Sequence, residues 1–513
     1  MDDDLADRNV AHLVRAAARL DPEHLALVET ATDARLTWGE FDGAVDAAAH
    51  AYAAAGATAG DRIVVRLPGT IAYCVAVFGV LRAGGVLVPI AVGAAPRELD
   101  EVLTSSATTA LVAAPDDEVA ATAARTAGIP LLAPPDAADG SASTSQVEPA
   151  TGGEDLAVLA FTSGTSGRAR GVMLSHRALL ANVTQCSELR PAPVTAADRV
   201  LLALPLFHVY GLGPGLLQVA NASATAMLAG RFDAAEALAV IAKHRVTTVV
   251  GVPPMYRAWL RLDHDELRDG FATVRLLTSG AAPLDAALGT EFSDATGLGI
   301  HEGYGLTETG PVLTSTMVGG QAKPGSVGRA IPGVEVRLVH PDGSPLGADD
   351  EDDEDEYETG LVSARGGNLL TGYWPDGDNG PDEDGWFRTG DVGFFDDDGD
   401  LHLVDRTSDL IIVNGFNVYP HEVERTLLEL PSIAQAAVVG MPDEDTGETV
   451  RAVLVLADGE PPTRSELEAH CALRLARYKI PTIVEVVDSL PVTATGKLAR
   501  RALRAVSGHP LPT

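Results

Sequence analysis

Apolar runs of strand length alternate with stretches of helical pattern through the first half of the chain. The runs at 62–67 and 86–90 predict buried strands, and the segment at 74–81 between them predicts a helix. The alternation returns further on, where a predicted helix at 233–244 precedes a predicted strand at 246–252. Such alternation is typical of an α/β fold in which helices cover largely parallel sheets. We therefore expect layered α/β subdomains.

The pattern changes after about residue 331, where shorter strands and tight turns predict a β-rich subdomain. The segment that follows about Thr407 is long enough to form a domain and has its own β/α alternation. We predict a large N-terminal domain at 1–406 and a small α+β domain at 407–513.

Two further segments are expected to lie at the surface. Residues 115–154 are rich in Ala, Pro, Asp, Ser and Gly, which favours a surface excursion. The acidic run at 349–356 favours a solvated loop, because like charges at that density repel one another.

Charge and composition exclude several classes of partner. The formal net charge of −35 disfavours broad binding to nucleic acids or attraction to an anionic membrane. No apolar run is long and clean enough to predict an integral membrane segment, and the acidic N-terminus has no secretory pattern. The widely spaced Cys74, Cys186 and Cys471 are compatible with a reducing compartment. We expect a cytoplasmic protein, and a homodimer is one assembly compatible with the sequence.

A loop rich in glycine and hydroxyl groups follows the apolar run at 156–161. Glycines allow backbone N–H groups to face a ligand, hydroxyl groups add donors, and nearby arginines bring positive charge, so the loop predicts a phosphate-bearing ligand such as a nucleoside triphosphate. Neither the Walker A spacing nor the dinucleotide Gly-x-Gly-x-x-Gly spacing is present, and an ordinary surface turn is the alternative. The loop comprises Thr162, Ser163, Gly164, Thr165, Ser166 and Gly167, with Arg168 and Arg170 behind it.

Further short motifs follow in a fixed order along the chain. They are Ser279–Leu284, Glu302–Gly310, Trp386–Asp391, Asp405–Gly415 and Pro491–Lys497. Together with the loop, these motifs closely resemble those of the adenylate-forming, or AMP-binding, superfamily, and in particular those of acyl-CoA synthetases. The resemblance covers nearly the whole chain, starting at Leu36. It implies that the C-terminal domain is mobile.

The resemblance also implies a role for each motif. The loop and Arg170 would hold the β- and γ-phosphates of ATP, Thr307 would contact the α-phosphate, and Glu308, with help from Thr162, would bind Mg²⁺. Lys497, one of only four lysines in the chain, would bridge the substrate carboxylate and the α-phosphate. Adenine and ribose would contact Gly280, Ala281, Ala282, Pro283, Glu302, Gly303, Tyr304, Asp391 and Arg406.

The remaining implied residues concern the acid, the acceptor and the hinge. His208, Gly211 and Met255 would border the acyl pocket, Asn414 and Gly415 the tunnel for CoA, and Ser408 would be the hinge. The implied activity is ATP-dependent formation of an acyl-adenylate from a fatty or aromatic carboxylic acid, followed by transfer to CoA. Transfer to a carrier-protein thiol or to an amine is the nearest alternative, and a catalytically inactive nucleotide-binding regulator is a further one.

The chain departs from the usual motifs at the phosphate loop and at the hinge. The loop ends in Ala169-Arg170-Gly171, where the family usually has Pro-Lys-Gly, and Ser408 and Asn414 replace residues that are often charged. Because arginine keeps the positive charge, we predict that Arg170→Lys leaves activity intact or improves it.

Overall fold

The structure is a computed structural model. It describes residues 8–135, 145–163, 169–319, 323, 325–346, 359–406, 411–413, 416–443, 447–457, 461–475, 477–492, 498–506 and 508–511.

The described residues pack as two compact units. The first comprises Met1–Val336 with Ala364–Phe387, and the second comprises Arg337–Ser363 with Arg388–Thr513. The boundary predicted between residues 406 and 407 separates an N-terminal domain from a mobile C-terminal domain. It stays a prediction.

Helices are present in both units. They are α1 His12–Leu20, α2 Trp38–Ala54, α3 Ile71–Arg82, α4 Pro96–Ser105, α5 Glu118–Ala127, α6 His176–Ser187, a π-helix at Gly211–Leu217, α7 Gln218–Ala222, α8 Ala234–His244, α9 Pro253–Trp259, α10 His264–Gly270, α11 Ala286–Thr296, a 3₁₀ turn at Thr307–Thr309, α12 Pro420–Leu428, α13 Arg464–Ala472, a 3₁₀ turn at Arg477–Lys479 and α14 Arg500–Leu503. None of the helices within the described ranges combines the length and apolar character needed to cross a bilayer.

The first unit contains a seven-stranded sheet. Its core strands pair in parallel, and antiparallel strands extend the sheet at one side. In spatial order the strands are β18 Gly372–Tyr373, β8 Ala169–Ser175, β7 Leu156–Ser163, β4 Val86–Pro89, β3 Arg62–Arg66, β5 Ala110–Ala113 and β6 Leu131–Leu132.

The first unit also contains a nine-stranded sheet, which is parallel through its centre. In spatial order the strands are β15 Arg329–Ala330, β14 Val312–Ser315, β13 Ile300–Gly305, β12 Leu276–Ser279, β11 Thr248–Gly251, β9 Arg199–Leu202, β10 Thr225–Leu228, β1 Leu25–Glu29 and β2 Arg35–Thr37. The prediction of α/β layers with largely parallel sheets is therefore confirmed.

Two more sheets follow along the chain. A four-stranded sheet has the order β16 Val334–Val339, β17 Gly360–Gly366, β19 Trp386–Phe395 and β20 Leu401–Arg406. A six-stranded sheet contains β21 Ile411–Val413, β22 Phe416–Val418, β23 Ile433–Asp443, β24 Gly447–Leu456, β25 Ile483–Val486 and β26 His509–Pro510. Together with the helices that follow Pro420, the last sheet gives the C-terminal segment the α+β character expected from its sequence.

Local sequence signals explain where several helices begin. Thr37 accepts a hydrogen bond from the Glu40 N–H, and the Glu40 side chain accepts one from the Thr37 N–H, so a capping box starts α2. The Asp233 side chain caps α8 in the same region of sequence where a helix was predicted. These caps satisfy N–H groups that the first helical turn leaves without a partner.

One prediction about the surface is wrong for part of its range. Within 115–154 the chain forms α5 and β6, and Ala120, Ala123 and Ala124 of α5 are buried in the core beside the seven-stranded sheet. Alanine has high helix propensity, and its small side chain allows a helix to pack closely against a neighbouring layer. The alanines of this segment therefore favour a packed helix. The acidic run at 349–356 lies outside the described residues.

Candidate functional site

The β7–β8 hairpin carries the phosphate-loop motif. Residues Ala157–Ala160 of β7 are buried, and β8 pairs with β7 so that Thr162 lies opposite Arg170. Side chains of directly opposite residues in an antiparallel pair lie on the same face, so the hairpin places a hydroxyl group beside a cation. Gly164, Thr165, Ser166, Gly167 and Arg168 lie outside the described residues, as does the side chain of Ser163.

Arg170 contacts an aromatic ring that the sequence motifs did not include. Its guanidinium carbon Cζ lies 3.7 Å from the centre of the Tyr373 ring. Tyr373 is held by strand pairing, because it lies opposite Val172 of β8. The stack uses the flat shape of the guanidinium group, which a lysine ammonium group lacks.

The same tyrosine binds the predicted metal ligand. Tyr373 Oη donates a hydrogen bond of 2.8 Å to Glu308 Oε1. Burial and the neighbouring Glu308 charge raise the pKa of Tyr373 far above its usual value, so its hydroxyl group stays a donor at neutral pH. The structure thus brings Arg170 and Glu308 to one side chain.

The loop that carries Thr307 and Glu308 is fixed by its neighbours. The Leu370 N–H donates to the Glu308 carbonyl at 2.8 Å, and the Asn368 side-chain amide donates to the Thr309 carbonyl at 2.7 Å. A Cβ atom at Gly305 would lie 1.8 Å from the Pro311 carbonyl oxygen, so only glycine allows the chain to turn here. Thr307 and Glu308 are half-buried and lie in a 3₁₀ turn.

The segment predicted to line the adenine follows β12. Ala281 has a φ of +65°, an unusual conformation for a residue with a Cβ atom. The Leu284 N–H donates to Glu302 Oε1 at 3.0 Å. Burial raises the pKa of Glu302 to about 8, an effect that the Leu284 hydrogen bond partly offsets. In this structure, Glu302 anchors the backbone N–H directly after the segment that contains Gly280, Ala281, Ala282 and Pro283.

Tyr304 and Gly303 lie on β13, beside this segment. Tyr304 is buried and lies opposite Thr314 of β14. Glu302 lies in register with Ser279 of β12. The two adjacent parallel strands therefore bring both predicted motifs to the same end of the sheet.

Three residues were predicted to border the acyl pocket. His208 Nδ1 accepts a hydrogen bond from the Tyr210 N–H at 3.2 Å. Gly211 starts the π-helix, and a Cβ atom there would lie 2.4 Å from the Pro205 carbonyl oxygen. Met255 is buried in an apolar cluster with Tyr256 and Trp259. The π-helix, a local distortion common at functional sites, was not predicted.

The second unit places the two predicted ribose residues side by side. Asp391 of β19 lies opposite Arg406 of β20, and Asp391 is 4 % exposed. The Asp391 N–H donates to Thr389 Oγ1 at 3.1 Å, and Thr389 Oγ1 donates to the Val362 carbonyl oxygen at 3.0 Å. These bonds fix the backbone that carries the carboxylate.

Several predicted residues lie outside the described ranges. They are Ser408, Asn414, Gly415 and Lys497. Near Lys497, Val492 and Leu498 are paired by an isolated antiparallel bridge.

Comparison with known proteins shows the family of this chain. The model of the AMP-binding enzyme family matches residues 14–374, and the model of the AMP-binding enzyme C-terminal domain matches residues 422–497. The chain belongs to the AMP-binding enzymes.

Characterised relatives of this AMP-binding enzyme resemble it over almost their whole length. A feruloyl-CoA synthase of Amycolatopsis sp is 36 % identical over 491 residues, which are 95 % of this chain and 96 % of the relative. A long-chain-fatty-acid–CoA ligase of Mycobacterium tuberculosis is 30 % identical over 97 % of this chain and 98 % of the relative. ATP-bound MatB from Rhodopseudomonas palustris has a TM-score of 0.88 at 31 % identity, over 97 % of this chain and 99 % of MatB.

Tyr373 is the residue of this AMP-binding enzyme that the sequence motifs missed. The available signal was the Gly372-Tyr373-Trp374 segment, an aromatic pair in a chain whose aromatic content is only 5 %. The Trp374 Nε1–H donates to the Ser105 carbonyl oxygen at 2.7 Å, which explains why this short strand is well anchored.

Proposed function

We propose that the enzyme activates an aromatic or fatty carboxylic acid. It is an AMP-forming acid–thiol ligase, which makes an acyl-CoA from the acid, ATP and CoA. An oxygen of the acid carboxylate attacks the α-phosphorus of ATP, and pyrophosphate leaves with the electron pair of the broken bond. The CoA sulfur then attacks the acyl carbon and AMP leaves, while the thiol proton is released.

One observation carries the nucleotide half of this proposal. Thr162 and Arg170 lie opposite each other in the β7–β8 hairpin. Tyr373 contacts both the Arg170 guanidinium group and the Glu308 carboxylate. A cation suits phosphate oxygens, and a carboxylate suits a divalent cation bound to them. Both features of a metal–triphosphate ligand are therefore matched by neighbouring side chains in one unit.

Mg²⁺ fits the chemistry of the proposed ligands. Glu308 offers a carboxylate and Thr162 a hydroxyl group, and Mg²⁺ prefers such oxygen donors together with substrate phosphates. The Tyr373 hydrogen bond engages Oε1 of Glu308, so the tyrosine fixes the orientation of the carboxylate. When bound, the ion would neutralise charge on the phosphate oxygens.

The other nucleotide contacts are proposed from the motifs. The loop from Thr162 to Gly171 and Arg170 would bind the outer phosphates, and Thr307 the α-phosphate. Tyr304 and the segment Gly280–Pro283 would contact the adenine, and Glu302 would support that segment through the adjacent Leu284. Asp391 and Arg406 would bind the ribose.

The proposed acid class is supported by the apolar surroundings of Met255. This side chain is 3 % exposed and belongs to a cluster of apolar and aromatic residues. With His208 and Gly211 it is proposed to border the acyl group, which would disfavour a charged substituent at that end. The relatives that are named for ferulate and for long-chain fatty acids have acids of this apolar kind.

The C-terminal domain is proposed to move between the two half-reactions. Lys497 would approach the α-phosphate during adenylation, and Asn414 and Gly415 would line the CoA tunnel during thioester formation, with Ser408 as the hinge. Lys497→Ala tests this division of labour. It should abolish adenylation yet still allow thioester formation from added acyl-adenylate and CoA.

Compartment and assembly are proposed on broader grounds. The net charge of −35 and three free, buried cysteines suit a cytoplasmic enzyme. A homodimer is the proposed assembly, and light scattering on the purified protein would measure its mass.

A panel of acids defines the substrate class. Aromatic acids such as ferulate and benzoate, fatty acids of increasing length and a dicarboxylate control are each mixed with ATP and Mg²⁺, and pyrophosphate release is measured. We expect the highest kcat/KM among the aromatic or fatty acids. A preference for the dicarboxylate would overturn the proposed acid class.

A further inference from the structure

The phosphate-binding cation and the metal-binding carboxylate share a single partner. Arg170 stacks on the ring of Tyr373 at 3.7 Å, and Glu308 accepts a hydrogen bond from its hydroxyl group at 2.8 Å. The two contacts use different parts of one side chain, since the first involves the π face and the second the phenolic oxygen. Each charged group therefore has a neutral partner that fixes its position.

The backbone of Tyr373 is held on both sides. On one side Tyr373 lies opposite Val172 in the β8 pairing, and the following Trp374 N–H donates to the Gly171 carbonyl at 2.8 Å. On the other side the Tyr373 N–H donates to the Asp378 carbonyl at 3.1 Å. The Leu370 N–H also binds the Glu308 carbonyl, so the segment just before the tyrosine is tied to the loop that carries the carboxylate.

The shared tyrosine offers each charged group a partner other than the opposite charge. A cation and a carboxylate that must bind opposite parts of one ligand also attract each other, increasingly so as water is excluded. A direct ion pair between them would compete with the ligand for both groups. A tyrosine gives the cation a π face and the carboxylate an O–H donor, and it adds no net charge.

We propose that Tyr373 is a positioning residue that holds Arg170 and Glu308 apart and oriented for a metal-bound triphosphate. The inference rests on the proposed function, because it assigns Arg170 to the phosphates and Glu308 to Mg²⁺. The tyrosine hydroxyl group acts through Glu308 and therefore on the metal-bound form of ATP, whereas the ring acts through Arg170 and on ATP with or without metal.

The test is nucleotide binding in the absence of any acid substrate. ATP is titrated calorimetrically into the full-length protein in excess Mg²⁺ and, separately, in EDTA. Tyr373→Phe keeps the ring and removes the hydroxyl group, Tyr373→Leu removes both, and Tyr52→Phe is the matched control. The Tyr52 hydroxyl group is buried without a hydrogen-bond partner in the structure and lies in α2, outside the proposed site.

Tyr373→Phe should raise the Kd for ATP in Mg²⁺ by about ten-fold, as the loss of a hydrogen bond to a charged group implies. In EDTA its Kd should stay within about two-fold of the wild-type value. Tyr373→Leu should raise both Kd values, because a cation–π contact is lost as well. Tyr52→Phe should change neither.

A double-mutant cycle separates positioning from a general structural effect. In a Glu308→Gln background, Tyr373→Phe should have almost no further effect on binding in Mg²⁺. Tyr373→Trp keeps a π face but displaces the donor. It should show the same metal-dependent loss as Tyr373→Phe, and it serves if the phenylalanine variant does not fold.

Equal losses in Mg²⁺ and EDTA for Tyr373→Phe, or an undiminished effect in the Glu308→Gln background, would overturn the inference. A Kd for ATP in Mg²⁺ that is the same for Tyr373→Phe and for the wild-type protein would also overturn it. Failure of the wild-type protein to bind ATP at all would instead count against the proposed function.

Discussion

Two glutamates on the same stretch of chain have contrasting surroundings. Glu302 lies within β13, is 7 % exposed and accepts a hydrogen bond from a backbone N–H, whereas Glu308 follows the strand in a 3₁₀ turn, is half-buried and accepts one from a phenol. Burial raises the pKa of Glu302 to about 8. One side-chain type thus supports the backbone at the first position and is proposed to bind a metal ion at the second, according to its partners and its access to solvent.

Glu308→Gln should give the largest effect on activity. The amide keeps the size of the side chain and an oxygen for the Tyr373 hydroxyl group, but it loses the negative charge proposed to bind Mg²⁺. Acyl-adenylate formation, measured by ATP–pyrophosphate exchange, should fall by at least about 100-fold, beyond the losses typical of residues that only orient a ligand. The free energy of unfolding should change by less than about 1 kcal/mol. Exchange at the wild-type rate would remove Glu308 from the site.

Glu302→Ala should act on stability instead. The change leaves the Leu284 N–H without its acceptor in a half-buried position, and losing a partner costs about 1–3 kcal/mol where the group is fully buried. Urea unfolding measures this loss, and Glu302→Gln is the control because its amide oxygen can still accept the bond. If Glu302→Ala lowered exchange as strongly as Glu308→Gln and left stability unchanged, the proposed contrast would be wrong.

The pH dependence of stability sharpens the same contrast. Burial raises the pKa of Glu302 from 4.5 to about 8, so between these values the folded protein keeps a proton that the unfolded chain releases. The stabilisation linked to this proton is fully present below pH 4.5 and is lost as the pH rises through 8.

Unfolding free energies of the wild-type protein and Glu302→Gln at pH 5.5, 7 and 8.5 measure this linkage, since the amide does not titrate. Relative to the variant, the wild-type protein should lose more than about 1 kcal/mol across that range. A difference that stays constant with pH would mean that the Glu302 carboxylate is ionised throughout.

Arg170→Lys should have the smallest effect. The ammonium group keeps the charge and can still lie over the Tyr373 ring, although it loses the planar stack seen at 3.7 Å. Exposed cation–π contacts are worth about 0.5–1 kcal/mol, so kcat/KM should remain within about five-fold of the wild-type value. A loss of several hundred-fold would mean that the loop has adapted to the guanidinium group.

Sequence patterns predicted the architecture well where periodicity was strong. The apolar run at 156–161 lies in β7, where Ala157–Ala160 are buried, and the predicted helix at 233–244 corresponds to α8, because each depends on residues that are close in sequence. The helix α5 was missed because its alanines gave little contrast between a buried and an exposed face.

The site was only partly predictable for a related reason. Linear motifs located Arg170 and Glu308, which belong to segments of recognisable chemistry. Tyr373 contacts both of them across more than sixty residues of sequence, and its pairing with β8 is a tertiary feature. The buried state of Glu302 likewise depends on the neighbouring strands, so no local pattern distinguished it from Glu308.

The products of a complete reaction test the central claim most directly. The wild-type protein is incubated with the best acid of the panel, ATP, Mg²⁺ and CoA, and all products are measured by mass spectrometry and chromatography. An acyl-CoA synthetase that works through an adenylate should form equal amounts of AMP, pyrophosphate and acyl-CoA. Formation of ADP and phosphate, or of AMP without any thioester, would contradict the account.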